Sequence, residues 1–207
     1  MSGTILIADD HPLFRQALAL AVSAAAPDMK VVEAGTLAAA SKAAAESDDL
    51  RLVTLDLKMP GAIGYSGIAL LHAEKPEVPI LVVSSAEGAN AADEARAFGA
   101  VGFLRKDADL AQIEAAIRGA LAGVPVTPRK TDPVSAVRGE VAGLTPTQLK
   151  VLLAVLEGKL NKQIAHELGM SEATVKAHMT AIMRKLDVRN RTQAALVARS
   201  LGLDLAH

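Results

Sequence analysis

Four short apolar segments in the first half of the chain each lead into polar residues. They cover residues 5–8, 52–55, 80–83 and 102–104, and they are followed by Asp9-Asp10, Asp56, Ser84 and, after Arg105, Lys106. Apolar runs of this length are typical of buried strands in a parallel sheet. Because open α/β sheets bind ligands outside the carboxyl ends of their strands, we expect three carboxylates, a hydroxyl and an ammonium group to meet at one edge. Such a set suits a divalent cation and a phosphoryl group.

Segments with strand and helix patterns alternate up to about residue 122, which indicates βαβ units with right-handed crossovers. A further short strand is predicted at residues 31–32. The intervening patterns predict helices over residues 12–25, 36–47, 68–73, 91–98 and 109–122.

The pattern breaks between residues 123 and 143, where Pro125, Pro128 and Pro133 indicate a linker. Regular structure resumes at Leu144 and is helical. Residues 145–148 have the Thr-x-x-Gln form of a capping box, and the apolar residues that follow predict one buried stripe on a first helix. Three more helices are predicted at residues 161–168, 171–186 and 192–201. The chain therefore divides into residues 1–122, a linker over 123–143, and a helical domain over 144–207.

The charge of the chain is unevenly distributed. Residues 1–124 carry 10 Lys or Arg against 16 Asp or Glu, whereas residues 143–207 carry 9 against 5. A basic end on an acidic body indicates that the C-terminal part meets a polyanion. The chain has no cysteine, which excludes disulfides and fits a reducing interior, and it has no apolar run long enough for a membrane span. We therefore expect a cytoplasmic protein without a membrane partner.

Asp56 is the candidate nucleophile of the predicted sheet edge, since an aspartate carboxylate can accept a phosphoryl group as a mixed anhydride. Lys106 would bind a phosphate oxygen as a point charge, and Ser84 would donate a hydrogen bond to another. Crowded carboxylates repel one another, and Mg²⁺ relieves this repulsion with few protein ligands. Any one of these residues is also common in ordinary loops, but the complete set in this order favours a phosphoryl site.

Residues 4–122 resemble a two-component receiver domain. The resemblance lies in Ala8-Asp9-Asp10-His11-Pro12, in residues 55–61, in Val83-Ser84-Ser85-Ala86 and in residues 102–107. It implies a doubly wound five-stranded parallel sheet in the order 2-1-3-4-5. It also implies that Asp56 is the phosphoacceptor, that Ser84 and Phe103 are the switch residues, and that Mg²⁺ is bound by Asp10, Asp56 and the backbone carbonyl of Lys58, with Asp9 assisting through water.

One segment departs from the receiver pattern. Residues 61–67, beside the acceptor, are about three residues longer than receivers usually allow, so access to Asp56 or its dephosphorylation is expected to differ. Tyr65, the only tyrosine of the chain, is either a lid contact or, as we prefer, ordinary loop packing. We interpret His11 as a loop residue rather than a metal ligand.

Residues 161–186 form a helix-turn-helix candidate around Gly169-Met170, whose second helix would enter the major groove. The periodicity predicts that Val175, Met179, Ile182 and Leu186 pack inward. It predicts that Ala173, Lys176, Ala177, Thr180 and Arg184 face outward, where Lys176 would reach guanine acceptors. An ordinary solvated helix face has the same periodicity.

Residues 144–198 also resemble the LuxR-type output domain. The match includes Leu144-Thr145, Asn161-Lys162-Gln163-Ile164-Ala165, Thr174-Val175-Lys176, Lys185-Leu186 and Arg191. Together with the receiver, it identifies the chain as resembling a NarL/FixJ-type response regulator. By this resemblance Lys176 and Ala177 face bases, the last helix forms a dimer contact, and the phosphate contacts are Asn161, Lys162, Thr174, Lys185 and Arg191. Thr180 stands where well-known members often carry Lys.

These features predict a transcription regulator that a sensor histidine kinase switches by phosphorylating Asp56, and that then binds double-stranded DNA as a homodimer. One alternative is that the receiver serves only as an interaction domain, independent of phosphorylation. Another is an enzyme, such as an aspartyl-phosphate phosphatase or a nucleotide-binding protein. Against the phosphatase, Asp56 lacks a second Asp two residues on, and against the nucleotide-binding protein, the sequence has no nucleotide-binding glycine motif. We therefore expect no enzyme activity beyond the receiver's own phosphoryl transfer and dephosphorylation.

Overall fold

The computed structural model describes residues 3–85, 91–123, 141, 143–200 and 202–203. Five parallel strands form one sheet in the order β2-β1-β3-β4-β5, as predicted. The strands are Gly3–Ala8 (β1), Met29–Ala34 (β2), Leu50–Leu55 (β3), Ile80–Ser84 (β4) and Ala100–Arg105 (β5). The strand β2 is longer than its apolar pair Val31-Val32 predicted, because it lies at an edge of the sheet, where its polar residues reach solvent.

Five helices connect and follow the strands: Pro12–Ala25 (α1), Leu37–Glu46 (α2), Ser66–Glu74 (α3), Ala91–Ala97 (α4) and Leu110–Leu121 (α5). Local chemistry explains where several of them begin. Pro12 opens α1 at a position where its missing N–H costs nothing. Thr36 caps α2, and Asp109 forms a reciprocal capping box with Gln112 at the start of α5.

The C-terminal domain contains the helices Pro146–Leu156 (α6), Asn161–Glu167 (α7), Glu172–Lys185 (α8) and Arg191–Ser200 (α9). The predicted capping box is present, since Thr145 and Gln148 each accept the other's backbone N–H. Ser171 accepts the N–H of Thr174 and caps α8. Gly169 separates α7 from α8 at a φ of 64°, a conformation that glycine adopts without a Cβ penalty.

The sheet has a hydrophobic core on each face. One core packs residues such as Ile5, Ile7 and Leu81 against α1 and α5. The other packs Leu6, Val53 and Val82 against the helices of the opposite face, and it continues without a break into the C-terminal domain.

This continuity arises because α3 packs directly on α6. The sequence predicted a single apolar stripe on α6, but Val151, Ala154 and Val155, outside that stripe, are buried as well. A helix that is apolar all round is buried on all sides. Residues 66–71 of α3 are likewise all buried.

The predicted linker lies almost wholly outside the described residues, which include only Gly123, Val141 and Gly143 of it. Among the helices that the structure describes, none combines the length and apolarity that crossing a membrane requires.

Candidate phosphoryl-acceptor site and DNA-reading helix

The carboxyl ends of four strands bring the predicted pocket together. Ala8 of β1 lies beside Leu55 of β3, so Asp9 and Asp56 leave neighbouring strands at the same level. Ser84 of β4 lies beside Arg105 of β5, and the N–H of Lys106 donates to the carbonyl of Ser84 at 3.1 Å. The structure therefore places all the predicted pocket side chains at one edge of the sheet.

Asp56 lies at the centre of this pocket and is buried. Its Oδ1 accepts hydrogen bonds from the Ser84 hydroxyl at 2.7 Å and the Lys58 N–H at 3.1 Å, and its Oδ2 accepts one from Lys106 Nζ at 2.8 Å. Burial alone raises the pKa of Asp56, but these hydrogen bonds and the Lys106 charge together lower that pKa below its ordinary value. Asp56 is therefore an ionised carboxylate, the form that acts as a nucleophile.

Lys106 binds two buried carboxylates at once. Its Nζ lies 2.6 Å from Asp9 Oδ2 and 2.8 Å from Asp56 Oδ2, and it lies 4.8 Å above the ring centre of Phe14. Burial lowers the pKa of Lys106, but the two carboxylates outweigh it and raise that pKa above its ordinary value. A permanent positive charge thus faces the oxygens of Asp56.

Four potential metal ligands, one of them Asp56 itself, meet in the pocket. One oxygen or nitrogen from each of Asp9, Asp10, His11 and Asp56 lies within 4.8 Å of the others. The carboxylate oxygens are the hard ligands that Mg²⁺ prefers, so the residues present fit this ion. His11, interpreted from the sequence as a loop residue, is exposed but belongs to this cluster, with its Nδ1 2.7 Å from Asp10 Oδ1.

Two neighbours of the pocket had no role in the sequence prediction. The Arg15 guanidinium donates to the backbone carbonyl of Asp9 at 2.7 Å and also binds Glu33, which fixes the turn that carries the acidic pair. Phe14 provides the ring beneath Lys106. Both lie in the first turn of α1, next to the recognised Asp-Asp-His-Pro sequence, which is the signal that could have located them.

Phe103, the predicted switch aromatic, is partly buried on β5 and packs against the core that extends into the C-terminal domain. Lys58, the predicted backbone ligand, follows Asp56 closely enough for its N–H to bind the Asp56 carboxylate. The inward packing of Phe103 and the metal contact of the Lys58 carbonyl stay predictions.

The two faces of α8 separate as predicted. Val175, Met179, Ile182 and Leu186 are buried against α6 and α7. The five residues predicted to face outward are all exposed: Ala173, Lys176, Ala177, Thr180 and Arg184. Thr180 is uncharged and so adds no charge to the exposed face. Its hydroxyl donates to the Lys176 carbonyl at 3.0 Å, within the same helix.

Four of the predicted phosphate contacts also have partners within the domain, among them Thr174, whose hydroxyl lies 2.8 Å from that of Ser171. Lys185 Nζ donates to Gly143 O at 2.8 Å and to Gln148 Oε1 at 3.0 Å. The Arg191 guanidinium donates to Asn161 Oδ1 at 2.9 Å and to the carbonyl of Lys159. Lys162 and Thr174 are exposed.

The comparisons with known proteins agree with this geometry. The response regulator receiver domain matches residues 5–118, and the luxR family of bacterial regulatory proteins matches residues 142–198. The chain belongs to the NarL/FixJ-type response regulators. This response regulator is 39% identical to the glycerol metabolism activator of Pseudomonas putida, over 94% of each chain. It is 32% identical to the nitrate/nitrite response regulator protein NarL of Escherichia coli K12, again over 94% of each chain.

A solved structure of a two-component response regulator of the LuxR family, from Aurantimonas sp. SI85-9A1, is 28% identical to this chain. It superposes with a TM-score of 0.55 and covers 66% of this chain and 94% of its own. The two family matches confirm the predicted combination of a receiver with a LuxR-type DNA-binding domain.

Proposed function

We propose that a sensor histidine kinase switches this response regulator by transferring a phosphoryl group to Asp56. A carboxylate oxygen of Asp56 forms the new P–O bond while the P–N bond to the kinase's phosphohistidine breaks. The histidine nitrogen keeps the electron pair of that bond and takes up a proton. The observation that carries the proposal is the buried but ionised Asp56 carboxylate, with Lys106 and Ser84 in direct contact with it.

Asp10, Asp56 and the backbone carbonyl of Lys58 are the ligands we assign to Mg²⁺, with Asp9 acting through water. When bound, the ion neutralises negative charge on the carboxylates and on the incoming phosphoryl oxygens. The cluster of carboxylate oxygens above Asp56 supports this assignment.

The phosphoryl group adds a charge of about −2 at neutral pH. Ser84 and Lys106, which bind Asp56 before the transfer, are placed to bind the new oxygens after it. Movement of Ser84 leaves room for Phe103 to pack inward, which changes the surface formed by α4, β5 and α5. The receiver also assists its own dephosphorylation and has no other enzyme activity.

The output is double-stranded DNA binding through α8. Lys176, Ala177 and Thr180 approach bases, and the positioning contacts to phosphates are made by Thr174, Asn161, Lys162, Lys185 and Arg191. Phosphorylated copies form a homodimer, which matches paired half-sites on DNA. The receiver spans residues 1–122 and the DNA-binding domain residues 144–207, and the protein acts in the cytoplasm.

Phosphotransfer to the full chain tests this function. We expect acetyl phosphate and Mg²⁺ to add the mass of one phosphoryl group to the wild type and to Asp48→Asn, an exposed change away from the pocket. Asp56→Asn keeps the shape of the side chain but removes the nucleophilic oxygen, so it should gain no mass. Labelling of Asp56→Asn to the wild-type level would refute Asp56 as the acceptor. An unlabelled wild type that still regulates DNA would favour the phosphorylation-independent alternative.

A further inference from the structure

Tyr65 lies in the lengthened segment 61–67 and is almost fully buried. Its hydroxyl donates to Glu94 Oε2 at 2.7 Å, and its ring stacks on Phe98 with the centroids 5.6 Å apart. Both partners belong to α4 or to the residue directly after it. The contact is therefore more specific than the ordinary loop packing that the sequence favoured.

The same residue touches the DNA-binding domain. The Tyr65 N–H donates to the carbonyl of Gly202, just beyond α9, at 3.1 Å. The Tyr65 ring also lies so close to Gly202 that a Cβ added there would be 3.2 Å from Tyr65 Cδ2. Leu203 next to it is fully buried. Tyr65 thus joins three parts of the molecule: its own loop, α4 and the end of the DNA-binding domain.

Two of these three parts follow, in the chain, residues that bind Asp56. Segment 61–67 follows Lys58 by three residues, and the Lys58 N–H donates to Asp56 Oδ1. Helix α4 follows β4 in the chain, and Ser84, the last residue of β4, donates to the same oxygen. A phosphoryl group on Asp56 offers new acceptors and redirects both hydrogen bonds. Because Tyr65 follows Lys58 in the chain and its α4 partners follow Ser84, redirecting these two hydrogen bonds can shift the loop and α4 relative to each other.

A second contact between the domains lies away from this path. Glu74 at the end of α3 accepts from Ser41 at 3.0 Å and from Lys150 of α6 at 2.9 Å. None of these three residues contacts the pocket groups described above. This ion pair, part of it exposed, provides a static anchor, whereas the Tyr65 contact joins the segment after Lys58 to the helix after Ser84, and both of these residues bind Asp56.

We infer that Tyr65 is a coupling residue through which phosphorylation of Asp56 reaches the DNA-binding domain. In the unphosphorylated protein Tyr65 contacts Gly202. Phosphorylation moves Glu94 and Phe98 away from Tyr65 and breaks the contact between Tyr65 and Gly202. The outward face of α8 is exposed while the contact is closed, so release does not uncover the reading helix. It frees the DNA-binding domain to pivot about the Glu74–Lys150 contact, which remains in place. The inference rests on the proposed phosphorylation of Asp56.

Tyrosine emission reports on this contact without a label, because the chain has one tyrosine and no tryptophan. A carboxylate that accepts the phenol hydrogen bond quenches tyrosine emission. Loss of the hydrogen bond from Tyr65 to Glu94 should therefore raise the emission of Tyr65. We expect beryllofluoride with Mg²⁺ to raise the emission of the wild type and to leave Asp56→Asn unchanged. Equal emission of the wild type before and after a demonstrated binding of beryllofluoride would overturn the inference.

Release of the domain is measured as a change in the distance between two spin labels, attached at Ala45→Cys on α2 and Ala173→Cys on α8. Both sites are exposed, and the chain has no native cysteine. The wild type should give one narrow distance distribution that broadens with beryllofluoride. Tyr65→Ala should give the broad distribution without beryllofluoride.

Two glycines provide a matched pair of variants for the same measurement. Gly202 and Gly158 have φ values of 83° and 80°, so alanine strains the backbone similarly at both. A Cβ at Gly202 contacts the Tyr65 ring, whereas a Cβ at Gly158 has no atom of the described residues within 4 Å. We expect Gly202→Ala to broaden the distribution and Gly158→Ala to leave it narrow.

The outcomes separate this inference from the function on which it rests. If beryllofluoride broadens the wild-type distribution but Tyr65→Ala and Gly202→Ala both stay narrow, the coupling role of Tyr65 is wrong and the phosphorylation switch stands. If the wild type accepts neither beryllofluoride nor a phosphoryl group, the proposed function and the coupling role fail together.

Discussion

In the acid pocket the charged side chains bind one another, whereas on the outward face of α8 they point into solvent. Lys106 lies within 2.8 Å of two buried carboxylates, and burial with hydrogen bonding moves the pKa values of both Lys106 and Asp56. Lys176 is exposed, and Thr180 beside it binds its own helix. On our proposal, the pocket is prepared before its ligand arrives, while the outward face of α8 acquires partners only on DNA. Removing a charge should therefore lower the free energy of unfolding in the acid pocket, and lower the affinity for DNA on the outward face of α8.

The largest effect on stability is expected for Lys106→Ala. It leaves Asp9 and Asp56 buried without their cation, so the free energy of unfolding should fall by roughly 3 kcal/mol, the typical cost of breaking a buried pair. Urea denaturation in EDTA measures this. The control Lys42→Ala removes an exposed lysine with a 3.9 Å ion pair and should cost less than about 0.5 kcal/mol. Equal losses in the two variants would show that the pocket is not a prepared site.

The stability difference between Lys106→Ala and the wild type should shrink in acid. In the wild type the pKa of Asp56 is lowered by folding, so its contribution to stability is present above the unfolded pKa of about 3.9 and is lost as the pH falls below it. Without Lys106, burial is opposed only by the hydrogen bonds from Ser84 and Lys58, so the pKa of Asp56 rises relative to the wild type, and protonation of Asp56 lowers the cost of its buried charge in the variant as the pH falls. Urea denaturation in EDTA between about pH 7 and pH 4 should show the two stabilities converging. A constant difference would contradict the assigned role of Lys106.

On the reading face, Lys176→Ala should reduce affinity for the preferred DNA site by about 2 kcal/mol, because a lysine that contacts a guanine edge contributes discrimination of that order. Affinity for unrelated DNA should change much less, and the stability of the free protein should be unaffected since the side chain is exposed. Competition binding against random duplexes checks this. A uniform loss across all sequences would make Lys176 a phosphate contact instead.

The smallest effect is expected for Lys162→Ala. As a phosphate contact, Lys162 should weaken binding to every sequence alike and reduce the slope of log affinity against log salt by about one. Binding measured at several salt concentrations gives this slope. An unchanged slope would remove Lys162 from the interface.

Local patterns were sufficient to predict the strands, because apolar runs followed by Asp9, Asp56, Ser84 and Lys106 are typical of buried parallel strands with a ligand site at their carboxyl ends. The strand order came from the resemblance to receiver domains, and the structure confirms it. The inward residues of α8 followed equally from helical periodicity.

The contacts between the domains did not follow, because they depend on packing between residues far apart in the chain. Tyr65 gave no periodic signal, and its partner Gly202 is a lone glycine near the end of the chain. The available signal was composition. From Val151 to Leu156 the helix α6 is apolar on every side, so it needed a second surface to cover it, and α3 provides that surface.

The central claim is that a phosphoryl group on Asp56 changes DNA binding. Fluorescence anisotropy on a duplex selected with beryllofluoride-treated protein tests it, with the wild type and Asp56→Asn titrated side by side. We expect beryllofluoride and Mg²⁺ to tighten wild-type binding about tenfold, within the usual range of coupling between two sites, and to leave Asp56→Asn unchanged. The same affinity for the wild type with and without the analogue, or the same gain in both proteins, would contradict the account.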